Sequence, residues 1–144
     1  MQARPFLMFE GKAEEAMTFY VSLFPGGQVL NLERFGPDGP GGPGKAGTVL
    51  RGLFRVGGLE VMCFDSPVSH AFTFTPAVSL FVAFDAEADL RRVAATMLEG
   101  GEALMPLDNY GFSRLFVWLK DRYGVSWQLN LPRSLRPLAD WAAH

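Results

Sequence analysis

The sequence is poor in the side chains that build most metal sites and covalent sites. Its 144 residues include one cysteine, Cys63, and two histidines, His70 and His144. A single cysteine excludes an intrachain disulfide and a cysteine-rich zinc site. So few histidines argue against centres such as the two-histidine, one-carboxylate iron triad. The cysteine usage fits a cytoplasmic setting.

The sequence also has no large excess of one charge and no long apolar run. Thirteen basic and 15 acidic residues give a formal net charge of −2, so we expect no nucleic acid partner and no anionic membrane partner. No apolar run reaches the length of about 18 residues that a membrane helix needs. Because 49% of the residues are hydrophobic, the chain is expected to form one globular domain or two half-size modules without a disulfide or a metal.

Glycine and proline are concentrated in one segment. They occupy nine of the twelve positions in residues 36–47, which predicts a flexible loop. The six residues from Gly39 to Gly44 match the dinucleotide pattern G-x-G-x-x-G. That pattern needs a helix after it, whereas residues 48–56 are typical of a strand, and its prolines lack the amide donors that phosphates use. We therefore do not expect nucleotide binding.

The remaining pattern predicts two similar halves. Phe6 and Leu80 are 74 residues apart, as are the helix-ending pairs Gly26-Gly27 and Gly100-Gly101. Later the spacing falls to 66, which the loop explains as an insertion of eight residues in the first half. The predicted fold is α+β, with two tandem β-α-β-β-β modules. Predicted strands are residues 4–9, 28–35, 48–56, 59–64, 78–84, 103–105, 112–119 and 125–131, and a helix at 12–24 and one after Asp85 complete the modules. The modules span residues 4–65 and 78–132, with a linker at 66–77 and a tail or short helix at 133–144.

Several segments resemble one known family. FLMFEGKAEEAMTFYVSLFPGGQV (residues 6–29), GPDGPGGPGKAGTV (36–49), FTFTPAVSLFV (72–82) and LKDRYGVSWQLNLP (119–132) are similar to the PhnB-like domain of the vicinal oxygen chelate superfamily. That superfamily includes glyoxalase I, bleomycin-resistance proteins and extradiol dioxygenases. The resemblance covers residues 4–132 and implies paired β-α-β-β-β modules with cupped mixed sheets, usually in a homodimer. The PhnB-like family is often described as a 3-demethylubiquinone-9 3-methyltransferase, but we find no nucleotide-type domain for an S-adenosyl donor.

The resemblance also implies where a metal would lie. In the metal-dependent relatives, His, Glu or Gln ligands point into the cup from the first and last strands of each module. Those positions correspond here to Pro5, Ser79 and Gln128. The fourth falls within residues 59–65, where the candidates are Val61 and, after a one-residue slip, Glu60 or Met62. Only Gln128 is a plausible oxygen donor among the three assigned positions, so we expect no metal and no cofactor.

Strand alternation predicts which neighbours line the cup together with these positions. Gln128 brings Ser126 and Asn130 to the inner face, while Trp127, Leu129 and Leu131 face the helix layer. The predicted pocket is apolar and aromatic with a few polar groups, which suits a small, partly apolar organic ligand. The alternative places the polar groups at strand ends or in a dimer seam. The pocket candidates are Ser79, Phe81, Gln128, Asn130, Cys63, Asp65, Leu7 and Phe9.

Two residues have a catalytic interpretation and a simpler one. A nearby base would make Cys63 a nucleophile, but the internal histidine, His70, is seven residues away in a loop. A small buried hydrophobe is the more economical interpretation of Cys63. His70 is interpreted in the same way as an ordinary loop histidine.

Three hypotheses follow. The first is a metal-free protein that binds a small molecule in the cup, with bleomycin-resistance proteins as the functional analogy. The second is a glyoxalase-like lyase, isomerase or transferase that uses a non-standard metal set drawn from Gln128, Asp65 or Glu60. The third is a structural dimer whose cup is filled by its own side chains. We rank the first highest.

Overall fold

A computed structural model describes residues 1–133 as two compact units. The first unit is Met1–Thr73, and the second begins at Phe74. Within residues 1–133, each unit contains one α-helix and one four-stranded mixed sheet, which confirms the predicted α+β class. The boundary falls inside the predicted linker. The predicted tail or short helix lies, from residue 134 on, outside the described residues.

The first unit has the sheet order β1-β4-β3-β2. Strand β1 runs parallel to β4, and the other neighbours are antiparallel. The glycines at 57 and 58, with φ of +54° and +81°, make the tight turn between β3 and β4, because two-residue hairpin turns need positive φ. The helix buries Ala16, Met17 and Tyr20 against the sheet, as its apolar spacing predicts. The elements are β1 (Phe6–Phe9), α1 (Ala13–Leu23), β2 (Gln28–Arg34), β3 (Val49–Val56) and β4 (Leu59–Asp65).

The second unit repeats this arrangement with the order β5-β8-β7-β6. Helix α2 buries Leu90, Val93 and Met97 and contacts β7 and β8. The strand β6 continues past the predicted end at residue 105 and includes Pro106. An edge strand tolerates a proline, and the register shifts on both sides of Met105 accommodate it. The elements are β5 (Leu80–Ala83), α2 (Glu87–Leu98), β6 (Glu102–Asp108), β7 (Ser113–Lys120) and β8 (Ser126–Pro132).

The glycine- and proline-rich segment connects β2 to β3, as predicted. It contains one short 3-10 turn at Pro43–Lys45. Two backbone hydrogen bonds close its base, from the amide of Phe35 to the carbonyl of Thr48 (2.8 Å) and from the amide of Gly47 to the carbonyl of Phe35 (2.9 Å). Within the described part of the chain, neither helix is long and apolar enough to cross a membrane.

Candidate ligand-binding faces

A cluster of polar side chains lies on the face of the second sheet that points away from α2. The hydroxyls of Ser79 and Ser126 are 2.6 Å apart. The indole N–H of Trp118 donates to Ser126 Oγ (2.9 Å), and Gln128 Nε2 donates to Ser79 Oγ (3.4 Å). Whichever serine donates to the other, one hydroxyl hydrogen of the pair has no acceptor within the cluster. The predicted candidates Ser79 and Gln128 are therefore brought together by β5 and β8.

The same face continues to Asn130, two residues further along β8. Asn130 is 1% exposed, and its Oδ1 accepts a hydrogen bond from Ser113 Oγ. Its Nδ2 has no hydrogen-bond partner among residues 1–133. If the amide were turned over, Oδ1 would be the unpaired atom, so one polar atom of this side chain lacks a partner in either orientation. Such a group costs about 1–3 kcal/mol when it is buried.

Aromatic side chains surround this part of the face. Phe116 is the direct cross-strand neighbour of Asn130, and its ring contacts Phe112 (5.0 Å between centroids) and Tyr110 (6.0 Å). Phe81 is paired with Gln128 and is 40% exposed. We name this surface, the side of the sheet that α2 does not cover, the second open face, although Phe116, Ser126 and Asn130 are themselves buried. It comprises Ser79, Phe81, Ala83, Phe116, Trp118, Ser126, Gln128 and Asn130.

The opposite face of β8 is the core of the unit, as predicted. Trp127, Leu129 and Leu131 are 0% exposed. The indole N–H of Trp127 donates to Asp121 Oδ2 (2.9 Å). The other oxygen of Asp121 accepts from the amides of Tyr123 (2.8 Å) and Val125 (3.1 Å). This carboxylate shapes the β7–β8 turn and lies apart from the polar cluster.

In the first unit, the prediction for β4 is wrong, because Cys63 and Asp65 lie on the side of the sheet that faces α1 and not on the open side. Cys63 is 0% exposed, and its Sγ lies 3.9 Å from the Sδ of Met17 on α1. Gly52 leaves room for this contact, because a Cβ atom there would lie 2.8 Å from the cysteine sulfur. Burial is the main cause that raises the pKa of the Cys63 thiol to about 12, and the charge of Asp65 adds to it. Cys63 is therefore a neutral core side chain and not a nucleophile.

Asp65, the second candidate on β4, is a structural acceptor. It is 2% exposed. Its Oδ1 accepts from the amides of Gly11 (2.7 Å) and Ala13 (3.0 Å), and its Oδ2 accepts from the amide of Val49 (2.9 Å). It thereby caps the first turn of α1, whose amides have no partners within the helix. Both oxygens are occupied on the helix side of the sheet, so Asp65 does not line the open side.

Leu7 and Phe9 need the same correction. They are the parallel partners of Cys63 and Asp65, so they share the helix-facing side, and Phe9 is 6% exposed. The opposite side of β1 presents Phe6, which is 57% exposed. Both predicted pocket residues of β1 therefore face the helix, where Phe9 is buried and Leu7 is half-buried.

A length difference between the halves explains this correction. Phe6 pairs with Met62, and Phe81 pairs with Gln128. Met62 and Gln128 are 66 residues apart, so Phe6 corresponds to Phe81 and not to Leu80. The spacing is 75 in the first strands and at the helix ends Leu23 and Leu98, but 74 at the starts of β2 and β6, because the connection after α1 is one residue longer than the connection after α2. By this pairing, the counterpart of Ser79 is Arg4 rather than Pro5.

The first open face, on the side of the first sheet away from α1, consists of three cross-strand rows. One row is polar: Glu60 Oε1 accepts from Arg4 Nε (2.9 Å), and Glu60 Oε2 accepts from Arg55 (3.0 Å). The hydrogen bonds from Arg4 and then Arg55 lower the pKa of Glu60. The other rows are mostly apolar. Apart from the polar row, the face comprises Leu53, Met62 and Phe6, followed by Arg51, Phe64 and Met8.

These contacts do not fit the non-standard metal set. Asp65 gives both of its oxygens to backbone amides, and Glu60 is held between two guanidinium groups. Of the proposed metal ligands, only the side-chain amide of Gln128 is left, and a divalent ion needs several hard ligands. In residues 1–133, no three His, Cys, Asp or Glu side chains come together as a metal-binding group.

His70 contacts a serine but does not activate it. Its Nε2 lies 2.9 Å from Ser66 Oγ, and the Ser66 hydroxyl donates to the carbonyl of Val68 (2.8 Å). Because the hydroxyl hydrogen is already donated to a carbonyl, the histidine acts here as a donor to the serine. The pair stabilises the loop after β4, in agreement with the simpler interpretation.

Solved structures share this fold. A glyoxylase/bleomycin resistance protein/dioxygenase domain from Frankia sp. EAN1pec superposes with a TM-score of 0.65 at 12% identity, over 100% of this chain and 98% of that chain. A PhnB protein from Bacillus cereus is 50% identical over 91% of this chain and 99% of that chain, with a TM-score of 0.86. Protein PA1353 from Pseudomonas aeruginosa is 27% identical over 92% and 98%, with a TM-score of 0.79.

The fold is thus that of the vicinal oxygen chelate superfamily. The model of the family described as 3-demethylubiquinone-9 3-methyltransferase matches residues 1–130. The chain belongs to this PhnB-like family, which confirms the resemblance found in the sequence. Among curated proteins, none matches the chain in sequence.

Proposed function

We propose that the protein binds a small, partly apolar organic molecule on the second open face without a metal ion. The observation that carries this proposal is the buried amide of Asn130, one polar atom of which lacks a partner among the described residues. A ligand atom that hydrogen bonds to this amide would remove the cost of leaving it unpaired. The exposed ring of Phe81 and the aromatic ring of Phe116 supply apolar surface beside it.

The polar cluster further along the face would set the orientation of the ligand. Ser79, Ser126 and Gln128 form a connected set with one hydroxyl hydrogen left over. Binding sites for small molecules combine a mainly apolar lining with a few placed polar groups. The second open face has both parts within one unit.

Native mass spectrometry tests this proposal. The purified protein is incubated with a protein-free small-molecule extract of cells, desalted and weighed intact. We expect a bound small molecule with wild type and with Ser113→Ala, and its loss with Asn130→Leu, which keeps the side-chain volume but removes the amide. Binding that survives in Asn130→Leu, or no binding by the wild type, would contradict the proposal.

We also propose that the protein is a homodimer, as the resemblance implies, in the cytoplasmic setting that its cysteine usage fits. Val68 and Phe72, in the segment after β4, are 59% and 64% exposed, and large exposed apolar side chains that lie close in sequence favour an interaction surface. Sedimentation equilibrium should give twice the chain mass, and the mass of one chain at every concentration would contradict a dimer.

A further inference from the structure

The first open face carries more positive than negative charge. Glu60 lies between Arg4 and Arg55 and holds both guanidinium groups. Arg51 lies on the same side of β3, directly opposite Glu33 of β2. Three arginines and two glutamates leave this face with a net charge of +1, although the whole chain has a net charge of −2.

Arg51 is the cation of this face that has no fixed partner. Among residues 1–133, no carboxylate lies within 4.0 Å of its guanidinium group, whereas Arg4 and Arg55 both lie within that distance of Glu60. Its side chain is exposed. A guanidinium group offers five N–H donors in a planar fork that matches the oxygens of a carboxylate, sulfonate or phosphate. Arg51 therefore has donors available for an anion.

An apolar surface lies directly beside this cation. Gly52 and Cys63 are paired in antiparallel strands; Arg51 precedes Gly52 and Phe64 follows Cys63, so the register places Arg51 and Phe64 opposite each other. The ring of Phe64 contacts the ring of Phe6, with centroids 5.0 Å apart. Phe6 is 57% exposed, and the half-buried Met62 lies next to it. A planar apolar group would bury aromatic surface here, which favours binding because apolar surface is removed from water.

We propose that the first open face binds an organic anion that has an aromatic or other flat apolar body. The anionic group pairs with Arg51, and the body packs on Phe6 and Phe64. This proposal is independent of the second open face and of Asn130. The opposite charge of Glu33 limits the affinity, because it competes for the same guanidinium group.

Two fluorescent probes that differ in one group test the proposal. 8-Anilinonaphthalene-1-sulfonate carries an anion, and N-phenyl-1-naphthylamine is its neutral counterpart. We expect the wild type to bind the sulfonate about tenfold more tightly, an ordinary difference for a charge-assisted hydrogen bond. The preference should decrease with added salt, since charges at an exposed site are screened. Equal affinities for the two probes would overturn the proposal.

Three variants assign the binding to this face. Arg51→Gln should weaken binding of the sulfonate about tenfold and leave the neutral probe unchanged, while Glu33→Gln should strengthen binding of the sulfonate. Arg34→Gln is the matched control. It removes the same charge from β2, but Arg34 pairs with Glu14 on the helix side, so sulfonate binding should be unchanged. Far-ultraviolet circular dichroism verifies that each variant is folded.

Failure of this proposal is distinguishable from failure of the proposed function. If Arg51→Gln leaves sulfonate binding unchanged while Asn130→Leu abolishes it, the probe binds the second open face. The present proposal is then wrong, and the function proposed for the second open face gains support. If Arg51→Gln weakens the sulfonate as expected, the result holds whether or not Asn130→Leu loses its own ligand.

Discussion

Asp65 joins three separate segments of the first unit through one carboxylate. Its two oxygens accept hydrogen bonds from backbone amides in the connection before α1, at the first residue of α1 and at the first residue of β3. A carboxylate is well suited to this position because it accepts several hydrogen bonds and donates none. The same property, seen in the sequence alone, made Asp65 resemble a ligand-binding group.

Asp65→Asn should therefore destabilise the protein strongly. One oxygen becomes an N–H₂ group that faces a backbone donor, and buried amides lose their acceptor, which we expect to lower the free energy of unfolding by about 3 kcal/mol. Urea denaturation measures this change. Asp38→Asn, in the exposed loop, is the control and should change the free energy by less than about 0.5 kcal/mol. An unchanged unfolding midpoint for Asp65→Asn would contradict the structural role.

Cys63 should resist thiol reagents while the protein is folded. The pKa of its thiol is raised from 9.0 to about 12, so the folded state holds the proton over a pH range in which the unfolded state loses it. The stability contributed by the buried neutral thiol is complete below pH 9.0 and is lost as the pH rises through about 12.

Labelling with 5,5′-dithiobis(2-nitrobenzoate) at pH 8 tests this protection. We expect slow labelling in buffer and fast labelling in urea, because access to the thiol requires unfolding. The control is Ser69→Cys in a Cys63→Ala background, since Ser69 is exposed in a loop. Comparable rates for the folded wild type and this control would show that Cys63 is accessible.

At the scale of the element, helices and strands were easier to predict than the faces of strands. The helical spacing of Met17 and Tyr20, and the turn at Gly57 and Gly58, placed α1, β3 and β4 correctly. On β8 the predicted alternation agrees with the structure, because Trp127, Leu129 and Leu131 belong to the core while Ser126 and Gln128 join the polar cluster on the other face. On β1 and β4 it failed, since a face assignment changes with a shift of one residue.

The unpaired amide of Asn130 and the charge of the first open face could not be predicted from the sequence. Alternation placed Asn130 on the correct side, but the hydrogen bonds that leave one of its atoms without a partner depend on tertiary packing with Ser113. Arg4, Arg55 and Glu60 lie up to 56 positions apart in the chain. Only the sheet register brings them into one row, and the sequence did not define that register.

The loop between β2 and β3 should be removable. Deletion of residues 38–45 retains Phe35, Gly47 and Thr48, whose backbone hydrogen bonds close the hairpin. Shortening a flexible loop by this amount changes the closure free energy by less than about 1 kcal/mol. The midpoint of urea unfolding should thus move little. Phe35→Ala, which truncates a buried ring at the base of the loop, should cost about 3 kcal/mol. A deletion as costly as Phe35→Ala would show that the loop packs as part of the core.

At the scale of the whole molecule, two units with the same topology carry different side chains on their open faces. The first has a row of arginine and glutamate beside an aromatic pair, and the second has hydroxyl and amide groups beside aromatic rings. In the two units, Arg4 corresponds to Ser79, and Met62 corresponds to Gln128. A guanidinium, a thioether, a hydroxyl and an amide do not form the hard ligand set that a divalent ion prefers.

Because these side chains are poor ligands for a divalent ion, metal analysis should find no resident metal. Protein purified without a chelator is expected to contain no stoichiometric Zn, Ni, Mn or Fe, and treatment with a chelator should leave its melting temperature unchanged, because metal binding would otherwise stabilise the folded state. A stoichiometric metal that is lost in Gln128→Ala would instead support a metal-dependent enzyme. The matched control for that variant is Gln28→Ala, on the edge strand of the other unit.

The extra residue after α1 shows where the two halves can change in length. In a paired strand, an insertion or deletion of one residue exchanges the side chains of the core with those of the exposed face. The same change in the unpaired connection leaves both faces as they are. Descendants of a duplicated module can therefore gain or lose single residues between the helix and the second strand, but within a paired strand only changes of two residues preserve both the core and the binding surface.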